Sequence, residues 1–372
     1  MFYISKITPL FVIFGFLNLF LSFFYTSNFQ IWSYIVIYGF IQNIIIGTLY
    51  QIGPNSQSRK LDYENLSFLV FLLSVISSSM TLLGKINLAN FLIFLTVLLF
   101  SLHIITVLKN IKPLTVRFLS VGLFYMNISG LTLLLTNFSD IPYQIPIHIF
   151  TIGSLVNMVM GVQITWIPML TMKVLDLKLA EKLFYIYLVV SFLFILSFFT
   201  FNFNLIFICG MLVGITVIFF LFIIYISLLK DKVLYMPFVV KFFLTGWVYF
   251  LISLVAILYI LLSKKFEMVY IHTYLMVYGF GLMTIIGGTT HIIPRIIWNW
   301  KYVEKAKEGK DVPQINKMVD EKVLKYSLYI FIITPFLMIF LKDLLIFQSF
   351  LAIVILILVY AIFSKTIRFF FR

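Results

Sequence analysis

Long apolar stretches alternate with short polar segments along almost the whole chain. Twelve of the stretches have about the 18 residues or more that an α-helix needs to cross the hydrocarbon core of a bilayer. They lie at about 7–26, 31–53, 66–84, 90–108, 114–136, 142–170, 182–200, 204–229, 238–262, 268–298, 324–341 and 343–364. The pattern predicts an all-α, polytopic membrane protein of about 12 transmembrane helices.

The basic residues are distributed unevenly between the two sides of this arrangement. If the N-terminus is cytoplasmic, only Lys85, Lys264, Lys265 and Lys342 of the 27 lysines and arginines fall in outer loops. This positive-inside bias predicts a multi-pass protein of the cell membrane with both termini in the cytoplasm. The net charge of +14 then reflects topology and attraction to anionic lipid. We therefore expect the lipid bilayer as a partner and no nucleic acid.

Composition supports one membrane domain over residues 1–372. Hydrophobic residues make up 63% of the chain and charged residues 11%, which excludes a soluble globular protein. The first apolar run lacks a small-residue cleavage site, so we expect a retained helix rather than a removed signal peptide. A single cysteine, Cys209, excludes disulfides and thiolate clusters. The polar segment 301–323 predicts a cytoplasmic loop with some helix on the membrane surface.

A G-x7-G-x6-P frame occurs three times, on the second, sixth and tenth spans. The copies are Gly39–Gly47–Pro54, Gly153–Gly161–Pro168 and Gly279–Gly287–Pro294. Their regular spacing predicts three four-helix units, at about 1–112, 113–232 and 233–372, around a pseudo-threefold axis. Each repeat helix should end near its proline, where the helix must stop or kink, and its glycines should let a neighbouring helix or a flat ligand approach the backbone.

Acidic side chains are absent from the predicted membrane interior. All 13 Asp and Glu residues lie in loops or at span ends. Proton relays and cation sites in membranes usually need buried carboxylates, so a proton- or sodium-coupled transporter or pump is disfavoured. A hydrolase triad is also excluded, because no acid is available to orient a histidine beside a serine or cysteine.

The four histidines carry the remaining candidate chemistry, and all lie in predicted spans. His148 and His272 fall near the outer ends of the sixth and tenth spans at similar depth, whereas His103 and His291 fall near inner ends. Two imidazoles on separate helices could hold one haem axially, and imidazole also suits copper. The alternative is that His148 and His272 are hydrogen-bonded structural residues. For His103 and His291 we expect the structural role more strongly, with a second metal site as the weaker hypothesis.

The repeat positions of His148 and His291 carry polar residues in the other copies as well. Tyr34 and Tyr274 occupy the position that His148 fills in the middle copy, where a tyrosine can ligate haem but more often bonds a backbone group. At the position of His291, the other copies carry Gln51 and Thr165. A polar residue in all three copies predicts a hydrogen-bonded inner layer rather than a metal site.

The spans and motifs together resemble the haem-copper oxidase subunit I superfamily. Residues 272–279, with Pro294 and Arg295 after them, are similar to the H-x-H-x4-G pattern of the tenth helix in nitric-oxide reductases. Residues 38–55, YGFIQNIIIGTLYQIGPN, resemble the second helix of NnrS-type proteins. The resemblance implies 12 helices in a pseudo-threefold arrangement and haem or copper as cofactor. His272 would occupy the high-spin haem position, and Tyr274 the low-spin haem position.

Several departures from the family pattern limit the activity that it implies. The low-spin position lacks histidine, and the second span offers Trp32 and Tyr34 where a partner ligand would stand. The seventh span has no histidine, and the acids of the family's proton channels are missing. If the chain is an enzyme, we expect an oxidoreductase other than a standard terminal oxidase or nitric-oxide reductase.

We therefore expect a haem-binding, oxidase-like membrane protein in electron transfer or in nitric-oxide or oxygen response. His272 and His148 are the predicted metal ligands, with Tyr274, Gly279 and Gly153 beside the cofactor, and respiratory-chain subunits are candidate partners. One alternative is a cofactor-free subunit that docks a redox complex. A second is a small-molecule or metal transporter, although such proteins usually show twofold repeats and ionisable groups at mid-membrane.

Overall fold

The computed structural model describes residues 3–229, 236–342 and 344–371, without the side chains of Leu229 and Leu345. Within these ranges the regular structure is entirely helical. Twelve helices are long and apolar enough to cross a membrane, which confirms the predicted fold class. They are α1 (Thr8–Tyr25), α2 (Phe29–Ser56), α3 (Asn65–Leu82), α4 (Ile86–Ile105), α5 (Leu114–Leu135), α6 (Gln144–Thr171), α7 (Leu177–Phe199), α8 (Phe203–Leu228), α9 (Phe238–Ser263), α10 (Phe266–Lys301), α11 (Glu321–Phe340) and α12 (Ile346–Phe371).

Helix α7 begins five residues before its predicted start because of a polar cap. The Asp176 side chain accepts hydrogen bonds from the backbone N–H groups of Lys178 and Leu179, at 3.0 and 3.1 Å. Such an N-cap satisfies donors that the first turn of a helix leaves without partners. Hydropathy alone placed the start at about 182, because the capped turn carries charged residues.

The prediction that each repeat helix ends near its proline is wrong for the third copy. Helices α2 and α6 end within three residues of their prolines, but α10 continues from Pro294 to Lys301. The proline ring disturbs the helical hydrogen bonds around it. Pro294 has no N–H to donate to the carbonyl four residues earlier, that of Thr290. At the next carbonyl, that of His291, the Arg295 side chain donates a hydrogen bond at 3.0 Å.

Each repeat helix contains one wide, π-helical segment at the same place. The segment begins four residues before the first repeat glycine and ends two residues after it. The three segments are Ile35–Ile41, Ile149–Leu155 and Leu275–Gly281. In two copies an asparagine amide donates to the glycine carbonyl, from Asn43 to Gly39 at 2.7 Å and from Asn157 to Gly153 at 2.6 Å. The wide turn shifts the pattern of backbone hydrogen bonds, and each asparagine amide supplies a donor for the glycine carbonyl there.

Packing between helices also recurs with the repeat. Helix α2 packs on α1, α6 on α5 and α10 on α9, and the later pairs are α3 with α4, α7 with α8 and α11 with α12. Contacts between α4 and α5, α8 and α9, and α12 and α1 connect these groups. The recurring pairings agree with the predicted pseudo-threefold arrangement of three four-helix units, which stays a prediction.

The polar segment after α10 is ordered against the helices. It contains a short helix, Val303–Lys307, and a 3₁₀ turn, Ile315–Met318. Trp298 donates its indole N–H to the Pro313 carbonyl at 2.7 Å, and Thr366 of α12 donates to the Met318 carbonyl at 2.8 Å. These bonds hold the segment along the same end of the bundle as the last turns of α10 and α12.

Candidate functional site

His148 of α6 and His272 of α10 lie side by side. Their ring centroids are 6.5 Å apart, and the ring planes are within 4° of parallel. His148 lies just before the π-helical segment of α6, and His272 lies three residues before the start of that of α10. The two outer histidines therefore meet, while their role as ligands stays a prediction.

The ring of His272 is fixed by Ser253 of the neighbouring helix α9. Its Nδ1 atom lies 2.9 Å from the Ser253 hydroxyl and 3.1 Å from the Ser253 carbonyl, and the hydroxyl donates to the His272 carbonyl at 2.9 Å. A carbonyl can only accept, so Nδ1 carries the proton and donates to Ser253. The lone pair of the neutral imidazole then lies on Nε2.

His148 is held in a similar way by its own helix. Its Nδ1 atom lies 2.8 Å from the Gln144 carbonyl and must donate to it. The Phe198 ring of α7 lies 4.5 Å from the imidazole centroid, and the Phe194 ring lies 6.3 Å away. Backbone bonding and aromatic packing therefore hold a second imidazole whose lone pair is also on Nε2.

The donor set fits a metal held by two imidazoles. Ligating histidines usually donate their other ring N–H to a carbonyl or carboxylate, and both residues show this arrangement. In the described part of the chain, neither Nε2 atom has a hydrogen-bond partner. If both Nε2 atoms face a shared metal, two metal–nitrogen bonds of about 2 Å each, plus the distance from each nitrogen to its ring centroid, span roughly 6 Å. The observed centroid separation of 6.5 Å is compatible with that arrangement.

The number of side chains that converge on the pair bears on which cofactor it could hold. Across residues 3–229, 236–342 and 344–371, no three or more His, Cys, Asp or Glu side chains converge on one point. A haem takes four ligands from its own macrocycle and needs at most two from the protein, so a two-histidine set is compatible with it. Haem and copper both stay predictions for this pair.

The position that the resemblance gives to a low-spin haem is filled by aromatic side chains. Tyr274 is buried, and its ring lies 5.2 Å from that of Trp32, edge to face, and 5.9 Å from that of Tyr278. Tyr34 is also buried and packs against Tyr38 at 5.6 Å. Tyr274 thus contacts the aromatic side chains of α2 and of its own helix.

The two glycines that we expect beside a cofactor lie against tyrosine rings, and their place beside a cofactor stays a prediction. A Cβ atom at Gly279 would lie 2.4 Å from Cγ of Tyr249, and one at Gly153 would lie 2.6 Å from Cγ of Tyr125. A tyrosine ring of the preceding helix therefore lies against each glycine. These positions serve helix packing in the structure.

The inner histidines do not share a site. His103 uses both ring nitrogens, with Nδ1 at 3.3 Å from the Tyr50 hydroxyl and Nε2 at 2.6 Å from the Asp62 carbonyl. His291 accepts at Nδ1 from the Arg295 side chain at 2.7 Å. Its ring lies 4.6 Å from that of Trp166. The two residues thus have different partners, and His103 leaves no ring nitrogen for a metal.

Sequence reasoning missed the residues that orient the histidine pair. Ser253 is a fully buried hydroxyl inside the apolar helix α9, and many serines in such helices bond only to their own backbone. Ser253 matters because it lies opposite His272, and the spacing of residues along α9 does not predict that contact. The only signal along the chain for Phe194 and Phe198 was the abundance of phenylalanine.

Comparison with known proteins places the chain in a family. No protein-family profile matches it. An uncharacterised protein of Aquifex aeolicus (strain VF5) is 36% identical over 336 residues, which cover 88% of this chain and 88% of that protein. The aligned length includes most of the twelve helices. The chain therefore belongs to the same family as this Aquifex aeolicus protein.

Proposed function

We propose that the chain is a haem-binding integral membrane protein that works in electron transfer or in nitric-oxide or oxygen response. The observation that carries the proposal is the parallel pair of His148 and His272 with both Nδ1 atoms anchored and both Nε2 atoms available. These two residues would hold the iron. A haem bound there would supply one-electron chemistry or a site for a diatomic gas.

The chain's own residues would prepare and protect this site. Ser253 and the Gln144 carbonyl fix the proton on Nδ1 of each histidine, so that neither ring must change tautomer to bind metal. The Phe194 and Phe198 rings cover one side of His148 with apolar surface. Both imidazoles are partly buried, and the aromatic rings give His148 one apolar side. A respiratory-chain subunit as electron donor belongs to the same proposal.

The direct test is the optical spectrum of the purified protein, recorded reduced and oxidised, with iron and copper measured on the same sample. We expect a Soret band and about one iron per chain. His148→Ala and His272→Ala should each remove or strongly shift that band, because each removes one axial nitrogen. The matched control is His291→Gln, which removes a histidine from the same helix as His272 but away from the pair.

The remaining candidate functions give different results in the same measurements. A cofactor-free subunit predicts no Soret band and unchanged assembly in His148→Ala and His272→Ala. A small-molecule carrier predicts no band but uptake into vesicles that contain the protein. A bound copper without iron would keep the histidine pair as a metal site and would reject the haem.

A further inference from the structure

Arg295 is a cation near the end of α10, and among the described residues it has no acidic partner. Its side chain is only partly exposed, and its Nη1 donates to the ring and to the carbonyl of His291 one helical turn earlier. None of the ion pairs within residues 3–229, 236–342 and 344–371 includes Arg295. A partly buried charge is costly unless an opposite charge compensates it.

A cavity of about 400 Å³ lies beside this cation, between α2, α6, α10 and the start of α5. Its wall contains the three equivalent polar residues of the repeat, Gln51, Thr165 and His291, together with Arg295. No Asp or Glu side chain lines it. Among the described residues that line this space, the charged side chain is therefore Arg295, and the predicted polar layer lies beside it.

The donors that face this space are held in place. Guanidinium can only donate, so Nδ1 of His291 accepts from Arg295 and the neutral ring carries its proton on Nε2. The Trp166 ring, 4.6 Å from the imidazole centroid, packs against that ring. Arg295 keeps its Nε and Nη2 groups without partners in the described part of the chain. A planar guanidinium fork beside a fixed N–H suits an oxyanion with several oxygens.

We propose that this cavity binds a phosphate group, with Arg295 and His291 as its donors. The volume of about 400 Å³ exceeds the size of a simple halide and admits a phosphate with its organic substituent. The group belongs either to a small soluble phosphate or to the headgroup of an anionic lipid at the inner surface. The site is separate from the His148–His272 pair, which lies towards the other ends of α6 and α10.

The test is thermal unfolding of the purified protein in a non-ionic detergent, followed by tryptophan fluorescence. One arm adds inorganic phosphate, the other adds short-chain phosphatidylglycerol, and both are compared with sodium chloride at equal ionic strength. We expect a saturable rise in melting temperature in at least one arm. A rise with phosphate indicates a soluble ligand, and a rise with the lipid alone indicates a headgroup.

Three variants distinguish binding in this cavity from a general effect of the protein's net charge. Arg295→Gln should raise the half-saturating concentration of the phosphate or lipid at least about tenfold, because it removes the charged hydrogen bonds to the phosphate group. Arg368→Gln removes the same charge from an exposed position of α12 and should leave saturation unchanged. Met169→Glu adds a carboxylate to an exposed part of the cavity wall and should also weaken binding. Equal saturation in the wild type, Arg295→Gln and Met169→Glu, or no rise in either arm, overturns the proposal.

Discussion

The imidazole planes of His148 and His272 lie within 4° of each other, with centroids 6.5 Å apart, although the residues belong to different helices. Neither residue bonds to the other. Each is oriented by a separate anchor, the Gln144 carbonyl for His148 and Ser253 for His272. Independent anchoring of two rings at a spacing near that of two axial ligands is what a site prepared in advance for a metal requires.

Replacement of Ser253 tests whether this anchoring matters for cofactor binding. Ser253→Ala removes the hydroxyl beside His272 but leaves the Ser253 backbone carbonyl, 3.1 Å from Nδ1. We expect haem affinity to fall about tenfold, the lower end of the effect of losing a partner to a metal ligand. The measurement is a haem titration of the apoprotein, followed in the Soret region.

The matched control for that titration is Ser191→Ala. Ser191 is equally buried, but its hydroxyl donates to the Leu188 carbonyl of its own helix and lies near Tyr125 rather than near either histidine of the pair. Affinity in this control should equal that of the wild type. An equal loss of affinity in Ser191→Ala and Ser253→Ala would show that the hydroxyl of Ser253 has no specific role.

The two glycines of α10 at positions 279 and 288 differ in what a side chain would meet. A Cβ atom at Gly279 would lie 2.4 Å from Tyr249, whereas one at Gly288 would have nothing within 4 Å. We expect Gly279→Ala to destabilise the protein by about 1–3 kcal/mol, because α9 and α10 must separate. Gly288→Ala should change stability by less than about 1 kcal/mol or increase it, since alanine favours a helix. Thermal unfolding of both variants in detergent checks this, and a fully stable Gly279→Ala would contradict it.

The sequence was sufficient for the twelve spans and for the meeting of His148 with His272. Both follow from long apolar runs and from a repeated frame that fixes helical depth. The π-helical segments, such as Leu275–Gly281, could not be predicted, because a single wide turn depends on packing and leaves no change in hydropathy. The hydrogen bond from Arg295 to His291 could have been predicted from the sequence, because residues four apart lie on the same face of a helix.

The pairing of Asp320 with Lys365 predicts a pH dependence of stability. A hydrogen bond from Lys365, whose Nζ lies 2.7 Å from the carboxylate, lowers the pKa of Asp320 below its usual value, and the Lys322 N–H adds to this. A carboxylate with a lowered pKa stabilises the folded state above its unfolded pKa of about 3.9, and this contribution is lost as the pH falls through the folded value. Both side chains are partly exposed, so the contribution should be under about 1 kcal/mol.

The variant that isolates this charge is Asp320→Asn, because asparagine keeps the N-cap of α11. Its melting temperature should lie slightly below that of the wild type at pH 6, and the difference should shrink as the pH falls below about 4 and vanish once the pH is below the lowered pKa of Asp320. Lys365→Gln should behave in the same way. A difference that stays constant across this pH range would exclude the ion pair as its source.

The predicted orientation in the membrane can be tested with single cysteines. Cys209 is buried, and a Cys209→Ser background leaves no native thiol. Lys85 between α3 and α4 and Lys317 between α10 and α11 are both exposed and should lie on opposite sides. A membrane-impermeant maleimide should label Lys85→Cys in intact cells and Lys317→Cys only after lysis, because basic segments are retained inside. The opposite labelling would place both termini outside, and the cavity beside Arg295 would then open to the exterior rather than to the cytoplasm.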